Sequence, residues 1–585
     1  DRSPSRGLGD VYKRQACVNS VPRSNEATKA SPGGPTRRAF GRRKHSPVWF
    51  ITRELPRFGR PGSRSAELHD GHPDTPSPSP TPSIWERNRF ELLRVIGLVG
   101  TILIGLGGLG GGALPVVDGS ATSFTSLPLG ALMGRMMLAS SSVVLVGVAF
   151  LVLAWLLMGP FVGAGGGAPR VSVAVLLRTF GAWVLPLIFT APLFTQDIYS
   201  YLAQGAIVAD GMDPYSAGPV ELLGQEHPLA RSVPFIWAES PSPYGPVALG
   251  ISSVIAQITG SSIFWGVICH RLLSLLGVAA AAWAIVALAR RCDVNPAAAV
   301  WLGVLNPLVI LHLIGGIHNE AIMMGILLVG LELGLRGVDK IGGPGWSGWA
   351  LLIGSGVLIS CAGMVKVTGF LALGFVGMAL ARRWGGARGI AGAVLVQSAI
   401  MVASIALATV VTRIGLGWVT GQGGAATIRS WLSMTTDIGV ISAFIGQLLG
   451  LGDHSEATLV ITRTAGLLIA VGFIVRMLWA TYRGTVHPVG GLGVATLVLV
   501  LLFPVVHPWY PLWGIMPLAG WANRTFFRAG TAAYSALFSF VVLPRGLALP
   551  PDAVATIYVN ALIAAAVIGA GAWAWLRVRG QKVLH

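Results

Sequence analysis

The sequence contains very little charge for its length. Only 11% of its 585 residues are Asp, Glu, Lys or Arg, whereas soluble globular proteins contain about 25%. At the same time 53% of the residues are hydrophobic, and the mean hydropathy is +0.68. A soluble enzyme is excluded, because long apolar stretches with few charges are typical of chains embedded in lipid. The composition therefore predicts an all-α polytopic membrane protein.

Several common signatures of function are missing. No Walker motif, secretory signal peptide, nucleotide-sugar domain or strong internal repeat occurs. Gly105, Gly107 and Gly110 spell G-x-G-x-x-G without a preceding strand, so helix packing explains them better than dinucleotide binding. No metal site and no cofactor is predicted. No two of the four cysteines have the spacing of metal ligands or of a redox pair; they are Cys17, Cys269, Cys292 and Cys361.

Half of the positive charge lies in a polar N-terminal segment. The formal net charge is +18, and residues 1–90 hold 17 Lys and Arg against 8 Asp and Glu, a net +9. This segment ends in the Pro/Ser run DTPSPSPTPS, so we predict a disordered cytoplasmic tail. Its basic run RRAFGRRKH suits anionic lipid better than nucleic acid. Residues 1–15 resemble a translation scar and are excluded from the fold prediction.

Apolar runs that approach the length of a membrane span recur along the rest of the chain. A spanning helix needs about 20 apolar residues. Two apolar stretches, 246–260 and 438–452, are short, and counting either as a span would put the later arginine pairs on the outer side of the membrane. We therefore predict juxtamembrane or re-entrant helices there. The fourteen predicted spans are residues 91–111, 134–159, 171–193, 262–290, 297–314, 318–336, 347–364, 366–382, 388–412, 457–480, 488–506, 509–523, 529–545 and 553–576.

The basic residues of the loops indicate the orientation of these spans. Lys and Arg favour the cytoplasmic side, and with a cytoplasmic tail nearly every even-numbered loop carries them. Both termini are therefore predicted to be cytoplasmic. The unusual polar residues then collect on the outer face, largely in the acidic loop 194–245. A site on that face, within reach of lipid, is the natural hypothesis.

Asp197 is the candidate general base. It directly follows a span, in FTQDIYSYLAQG, and Tyr201 lies one turn further along a short amphipathic helix. A carboxylate at the rim of a cavity can take a proton from a hydroxyl group that attacks an activated carbon. A solvated loop acid or a helix N-cap is the alternative.

Three basic residues are candidates for contacting a phosphate. Lys366 is the only one of six lysines placed between two outward-facing span ends, where charge is costly unless it is used. Arg271 lies within a span, and Arg429 lies in the outer loop 413–437. Ammonium and guanidinium groups suit a phosphate, and snorkelling to the interface is the alternative.

Two further motifs lie at outward-facing span ends. In GGIHNE, the i, i+2 spacing places His318 and Glu320 on different sides of a helix, which disfavours a metal pair. With Asn319, they are expected to contact substrate hydroxyls or to cap the next span. HPWYPLW resembles a sugar-stacking surface, although aromatic residues are common at membrane interfaces; its residues are His507, Trp509 and Tyr510.

Together these motifs resemble a known class of enzymes. An acid after an apolar span, followed by DPY (213–215) and SPYGPVALG (242–250), is similar to the GT-C class of polyprenyl-phosphate-sugar glycosyltransferases. HNEAIMMG (318–325), MVKVTG (364–369) and HPWYPLW (507–513) most resemble the actinobacterial α-1,6-mannosyltransferases of the MptA/MptB type. The resemblance implies a GT-C-like helical bundle.

The resemblance also implies a domain division and a reaction. Two peripheral spans, 91–170, precede a transmembrane core, 171–577, with a catalytic outer loop, 194–261, and a cytoplasmic tail, 578–585. Mannose would pass from polyprenyl phosphate mannose to a 6-hydroxyl of an α-1,6-mannan on a phosphatidylinositol mannoside, for lipomannan and lipoarabinomannan synthesis. The transfer would invert the anomeric centre, on the outer face of the plasma membrane, without metal or nucleotide sugar.

The resemblance assigns roles to the candidate residues. The catalytic acid of the family corresponds to Asp197, and its phosphate-side basic group corresponds to Lys366, with Arg271 and Arg429 as further candidates. The partners would be a polyprenyl-phosphate donor, a glycolipid acceptor and membrane lipid, with no nucleic acid. Substrate contacts are expected from Tyr201, Asp213, Tyr215, Tyr244, His318, Asn319, Glu320, His507, Trp509 and Tyr510.

Other interpretations share part of this pattern. Transfer of arabinofuranose or glucose from a polyprenyl carrier has all the same physical features. A lipid-linked-sugar flippase or transporter instead predicts polar residues at the midplane and on both faces of the membrane. A scaffold without enzymatic activity gives no reason for the outer polar cluster.

Overall fold

The described part of the chain is helical and contains no strand. The computed structural model describes residues 68–69, 82–116, 123–260, 262–421 and 429–582, with side chains as far as residue 574. The predicted all-α class is therefore confirmed. Most of the predicted N-terminal tail lies outside the described residues.

The chain enters the bundle through helices that precede loop 194–245. The first begins seven residues before the predicted span 91–111, because Ser83 and Glu86 form a capping box. The tail prediction therefore extends too far. Gly107 packs against another of these helices, where an added Cβ would lie 2.7 Å from the Ser140 carbonyl oxygen, as expected for helix packing. These helices are α1 (Ile84–Gly111), α2 (Gly130–Arg135), α3 (Met137–Met158) and α4 (Val173–Val184).

The loop after α4 carries short helices, as its amphipathic pattern predicted. The short amphipathic helix predicted after the span 171–193 is present and begins at Asp197. The apolar stretch 246–260 also forms a helix that is too short to span. In order, these helices are α5 (Asp197–Ala209), α6 (Pro219–Leu223), α7 (Pro228–Ser232), α8 (Phe235–Ala238) and α9 (Pro246–Thr259).

The central helices are α10 (Ile263–Arg291), α11 (Pro296–Gly303), α12 (Glu320–Lys340), α13 (Ser347–Val365), α14 (Leu371–Trp384) and α15 (Gly386–Thr412). The predicted span 297–314 is not one continuous helix. α11 ends at Gly303, and the chain resumes as a π-helix at Val309–Gly315. Pro307 has no N–H to donate, and Asn306 turns the chain by accepting a hydrogen bond from the Leu308 N–H.

The remaining helices are α16 (Gly417–Thr420), α17 (Met434–Leu448), α18 (Ser455–Arg483), α19 (Pro488–Leu502), α20 (Leu512–Ala519), α21 (Thr525–Phe538) and α22 (Pro551–Lys582). α17 confirms a short helix at the stretch 438–452. The predicted span 509–523 is reduced to α20, which contains Pro517. The predicted C-terminal tail begins as a continuation of α22.

The helix lengths support a chain that crosses the membrane several times. Shorter apolar helices occur at Val173–Leu187, Pro246–Thr259, Met434–Leu448 and Pro488–Leu502. The protein is a multi-pass membrane protein, and the number of fourteen spans stays a prediction. In the described residues, eight helices are long and apolar enough to span: Ile84–Gly111, Met137–Val162, Ile263–Arg291, Glu320–Lys340, Ser347–Val365, Gly386–Thr412, Ser455–Arg483 and Pro551–Ala574.

Helix α12 separates two polar ends of the bundle. Its 21 residues extend for about 30 Å at 1.5 Å per residue. Glu320, at its first turn, bonds to Lys366, which belongs to the same cluster as Asp197. Glu332 and Asp339, nearer its other terminus, bind Arg291. We call these the Asp197 end and the arginine end.

Candidate active site

Asp197 occupies the first position of α5, beside a group of aromatic and charged side chains that we call the pocket. Its side chain is 30% exposed, and its backbone N–H donates to the Thr195 hydroxyl oxygen at 3.1 Å. The Trp237 indole N–H donates to Asp197 Oδ1 at 3.3 Å. The carboxylate is therefore held from one side by Trp237, while part of it faces the pocket.

The backbone before Asp197 is held in place by long-range contacts. Phe194 has a positive φ of 63°, and its N–H donates to the Pro544 carbonyl oxygen at 2.7 Å. Gly546 lies directly against Thr195, where an added Cβ would lie 2.5 Å from the Thr195 Cα. A left-handed residue other than glycine is uncommon and needs such support. These contacts determine where α5 begins.

His318 lies next to Asp197. Its Nδ1 is 3.6 Å from Asp197 Oδ2, and its side chain is only 1% exposed. It lies before the start of α12 and follows Ile317, which has a positive φ of 58°. The prediction that His318 and Glu320 lie on different sides of one helix is therefore wrong, because His318 is not part of a helix. Burial lowers the pKa of His318, which favours a neutral imidazole.

Three imidazole rings surround one indole ring. The Trp509 ring stacks with His318 at 4.0 Å, with His507 at 4.6 Å and with His312 at 4.8 Å between ring centroids. Burial lowers the pKa of His507 to about 4, so this ring is also neutral at pH 7. In the described residues the buried Trp509 Nε1 and His318 Nε2 have no hydrogen-bond partner. Such unpaired polar atoms suit a polar ligand or water.

Lys366 forms the cationic part of the pocket. It lies in extended conformation between α13 and the 3₁₀ turn Val367–Phe370. Its Nζ donates to Glu320 Oε1 at 2.7 Å and to the Tyr510 hydroxyl at 3.2 Å. The same Nζ lies 4.7 Å from the Trp513 ring centroid. Burial acts to lower the pKa of Lys366, but the Glu320 carboxylate together with Tyr510 and Tyr244 raises this pKa above its usual value.

Asp197 and Lys366 belong to one electrostatic unit. Tyr244 is buried, which raises its pKa; Asp197 raises this pKa further, while Lys366 opposes the rise. Both charges also act on His507, with opposite effects on its pKa. Residues far apart in the sequence thus surround a single pocket.

The predicted tyrosines occupy different positions around this pocket. Tyr201 is buried and meets Tyr244 edge to face, with ring centroids 5.4 Å apart. Tyr215 donates from its hydroxyl to the Tyr244 carbonyl oxygen at 2.9 Å. Asp213 is exposed and accepts a hydrogen bond from the Tyr215 N–H. Asp213 and Tyr215 therefore shape the loop, whereas Tyr201 and Tyr244 line the cluster. Asn319 is the residue before α12, and its backbone carbonyl accepts from the Met323 N–H.

Two predicted phosphate contacts lie outside the cluster. Arg271 is fully buried, and its guanidinium donates to five backbone carbonyl oxygens, those of Ile188, Thr190, Ala191, Ile314 and Gly315. It joins the segment before Asp197 to the π-helix and has no donor left for a phosphate. Arg429 is largely exposed and pairs with Glu456 at 3.4 Å.

Sequence reasoning missed three residues of the pocket. His312 was hidden in an apolar run, although a histidine at membrane depth is itself a signal. Trp513 was part of the quoted HPWYPLW motif but was not singled out. Trp237 carried no signal, because only the folding of loop 194–245 brings it to Asp197.

An apolar groove runs along the helices beside the pocket. It has a volume of about 1180 Å³ and lies between α9, α10, α13 and α15. Pro246, two residues after Tyr244, lines one end. Leu272, Leu276 and Leu407 line its walls and are exposed on the outside of the bundle. Such a surface faces lipid acyl chains.

The chain matches known protein families over most of its length. A family model described as Alpha-(1->6)-mannopyranosyltransferase, N-terminal domain, matches residues 94–382, and one described as MptB C-terminal domain matches residues 435–570. No solved structure matches the chain. The fold and the pocket define a polytopic membrane protein with a charged, aromatic site at one end of its helices.

Individual relatives agree with the family models. The chain is 56% identical to alpha-(1->6)-mannopyranosyltransferase B of Corynebacterium glutamicum, over 96% of this chain and 98% of that protein. It is 42% identical to a probable alpha-(1->6)-mannopyranosyltransferase of Mycolicibacterium smegmatis, over 75% and 80%. It is 32% identical to alpha-(1->6)-mannopyranosyltransferase A of Mycobacterium tuberculosis, over 77% and 83%. The chain belongs to the alpha-(1->6)-mannopyranosyltransferase family, which confirms the predicted resemblance. It is a membrane-bound glycosyltransferase.

Proposed function

We propose that the protein transfers mannose from polyprenyl phosphate mannose to a 6-hydroxyl of an α-1,6-mannan on a phosphatidylinositol mannoside. The observation that carries this proposal is that the Asp197 carboxylate and the Lys366 ammonium flank one aromatic cluster, Asp197 beside His318 and Lys366 beside Tyr510. The family matches support the mannosyl transfer, and the groove beside the pocket supports a lipid-linked donor. Lipomannan and lipoarabinomannan synthesis is the corresponding cell-wall pathway.

Asp197 acts as the general base in this proposal. Its partly exposed carboxylate takes the proton of the acceptor 6-hydroxyl as the oxygen attacks the anomeric carbon. Neutral His318, 3.6 Å away, orients the carboxylate through its Nδ1 proton. This separation is slightly beyond a hydrogen bond, and such distances commonly shorten when substrate binds. A single displacement on the face opposite the phosphate inverts the configuration.

Lys366 stabilises the leaving phosphate in this proposal. Two of its three N–H donors bind Glu320 and Tyr510, and its side chain is 25% exposed, so one donor faces the pocket. A preorganised ammonium group stabilises negative charge that develops on the phosphate oxygens as the glycosidic bond breaks. The Tyr510 and Trp513 rings that hold this ammonium group restrict its position.

The apolar groove is assigned to the polyprenyl chain of the donor. It opens on the outside of the bundle along α9 and α15 and reaches Pro246, next to the pocket. A lipid-linked donor can therefore enter sideways from the membrane with its phosphate directed toward Lys366. We place the Asp197 end outside the cell, because the opposite end carries Arg290, Lys340 and other cations that favour the cytoplasmic side.

The base assignment is tested with Asp197→Asn in isolated membranes. The amide keeps the size of the side chain but cannot accept the proton, so mannosyl transfer is expected to fall roughly 10²- to 10⁴-fold. Glu226→Gln is the matched control, because the Glu226 side chain is 94% exposed in the same loop and the variant is expected to retain activity. Near-normal transfer by a folded Asp197→Asn protein would remove the base from the mechanism.

The donor sugar is tested separately with purified protein. Polyprenyl-phosphate derivatives of mannose, arabinofuranose and glucose are offered in turn with the same mannan acceptor. Product formation from the mannosyl donor, abolished in Asp197→Asn, is the expected result. Transfer of arabinofuranose or glucose in preference to mannose would keep the site but change the substrate.

A further inference from the structure

A second large cleft lies at the arginine end of the bundle. It has a volume of about 2080 Å³ and is formed mainly by α4, α10, α12 and α14. None of the described residues of the candidate active site lines it. This cleft has two chemically different walls, and each wall suits a different part of one type of molecule.

One wall is apolar and faces outward. Leu177 of α4 is 37% exposed and Trp283 of α10 is 47% exposed, and both line the cleft with Phe180 and Val286. Along α10 the apolar residues of this wall extend from Ala279 to Ala287, which is about 12 Å at 1.5 Å per residue. That length is a little under half of a hydrocarbon core of about 30 Å. The wall is long enough to hold part of an acyl chain.

The other wall is cationic and lies at the helix ends. Two of its three acids, Glu332 and Asp339, are already bound to Arg291 at 2.8 and 2.6 Å. Arg290 and Lys340 are exposed, and neither has an ion-pair partner in the described residues. The lining cations are Arg290, Arg291, Arg336, Lys340, Arg382 and Arg383, and the lining acids are Asp293, Glu332 and Asp339.

Arg336 joins the two walls. Its Nε binds Glu332 at 2.7 Å, and its guanidinium carbon lies 5.5 Å from the centroid of the Trp283 ring. Cationic groups therefore begin where the apolar wall ends. An apolar strip followed by surplus positive charge is complementary to a phospholipid, whose acyl chains are followed by an anionic headgroup.

We propose that this cleft binds an anionic phospholipid from the leaflet at the arginine end. The headgroup phosphate contacts Arg290 and Lys340, and one acyl chain lies along Leu177 and Trp283. A free phosphate would not account for the apolar wall. His69 borders the cleft, where it bonds to the Cys292 carbonyl oxygen at 2.9 Å and stacks on Trp521. This imidazole forms one rim of the proposed site.

The proposal is tested with the purified full-length protein by native mass spectrometry. The protein is titrated with phosphatidylglycerol, with phosphatidylcholine and with inorganic phosphate in separate experiments. Retention of phosphatidylglycerol over the other two is expected. Arg290→Gln with Lys340→Gln is expected to weaken that binding roughly 10- to 30-fold, from the contribution of about one surface cation each.

The matched control is Arg388→Gln with Arg483→Gln. These two exposed arginines adjoin the same end, at the start of α15 and the end of α18, and neither lines the cleft. The control is expected to bind phosphatidylglycerol as the unchanged protein does. Equal losses of phosphatidylglycerol binding in both double variants would show that the lipid responds only to the overall surface charge, which would overturn the proposal. Equal binding of inorganic phosphate would overturn it too. Failure to retain phosphatidylglycerol would also overturn it.

Discussion

At the scale of single residues, the pocket depends on neutral and charged groups placed side by side. His318 is the clearest example, because it is buried, lies 3.6 Å from Asp197 and stacks on Trp509 at 4.0 Å. Burial lowers its pKa and favours the neutral imidazole, so in the proposed mechanism His318 orients the Asp197 carboxylate without neutralising its charge.

Replacing His318 by Gln is expected to reduce turnover more than donor binding. Without His318 the Asp197 carboxylate is no longer held in the position from which it can accept the proton of the acceptor hydroxyl. Such a misplacement lowers the reaction rate by up to about 10²-fold. Steady-state kinetics should show a lower kcat with a donor KM that changes little. His312→Gln is the control, because His312 stacks on the same indole at 4.8 Å but does not contact Asp197. Equal effects of both variants would indicate that only the ring stack matters.

His507 predicts a pH dependence of stability. Its pKa is about 4 in the folded protein because the ring is buried, against about 6.5 for an unfolded histidine. Between these values the unfolded chain binds more protons, so the free energy of unfolding falls as pH falls from about 6.5 to about 4. This one group contributes up to about 3 kcal/mol. Thermal unfolding in detergent should show a flatter pH dependence for His507→Gln, and an unchanged slope would contradict the prediction.

At the scale of helices, the pocket depends on close contact between α5 and α9. An added Cβ at Gly205 would lie 2.5 Å from the Ser252 carbonyl oxygen. Because that atom belongs to the backbone of α9, the two helices must separate if a side chain is added. Asp197 and Tyr201 belong to α5, and α9 lines the groove. The spacing of the two helices therefore determines how far the carboxylate of the proposed base lies from the proposed lipid path.

Gly205→Ala is expected to destabilise the protein by about 1–3 kcal/mol, the usual cost of overpacking, and to lower mannosyl transfer. Gly181→Ala, in α4, is the control, because no atom lies within 4 Å of its added Cβ. Alanine there should leave the melting temperature unchanged or slightly higher. Equal melting temperatures for both variants in detergent would show that α5 and α9 tolerate separation.

At the scale of the whole molecule, the two polar ends of the bundle differ in charge. The Asp197 end carries the acidic loop 194–245, whereas the arginine end carries the cations of the second cleft. The positive-inside bias therefore predicts that the arginine end faces the cytoplasm.

Cysteine labelling in intact cells tests this orientation. In a protein whose four native cysteines are replaced, Glu226→Cys should react with a membrane-impermeant maleimide, because the Glu226 side chain is 94% exposed. Arg388→Cys should react only after the membrane is permeabilised. The reverse pattern would place the active site in the cytoplasm.

Much of the fold was predictable because hydropathy is a local property. Long apolar runs predicted many of the helices. The amphipathic sequence that follows the span 171–193 predicted the short helix α5, which begins at Asp197. The predicted spans 297–314 and 509–523 are not continuous helices, and proline lies in both segments, at Pro307 and Pro517. A hydropathy average over about 20 residues does not detect a single residue that lacks a backbone N–H.

The sequence by itself determined the membrane class, the family and the position of Asp197, because each depends on composition or on short contiguous motifs. Only the tertiary structure decided the partners of the charged groups. Lys366 pairs with Glu320, which is 46 positions away in the sequence. The guanidinium of Arg271 donates its hydrogen bonds to backbone carbonyl oxygens, so it is not available to bind a phosphate. Both results follow from desolvation: a charge buried in the bundle is stable only beside whichever compensating group the fold brings to it.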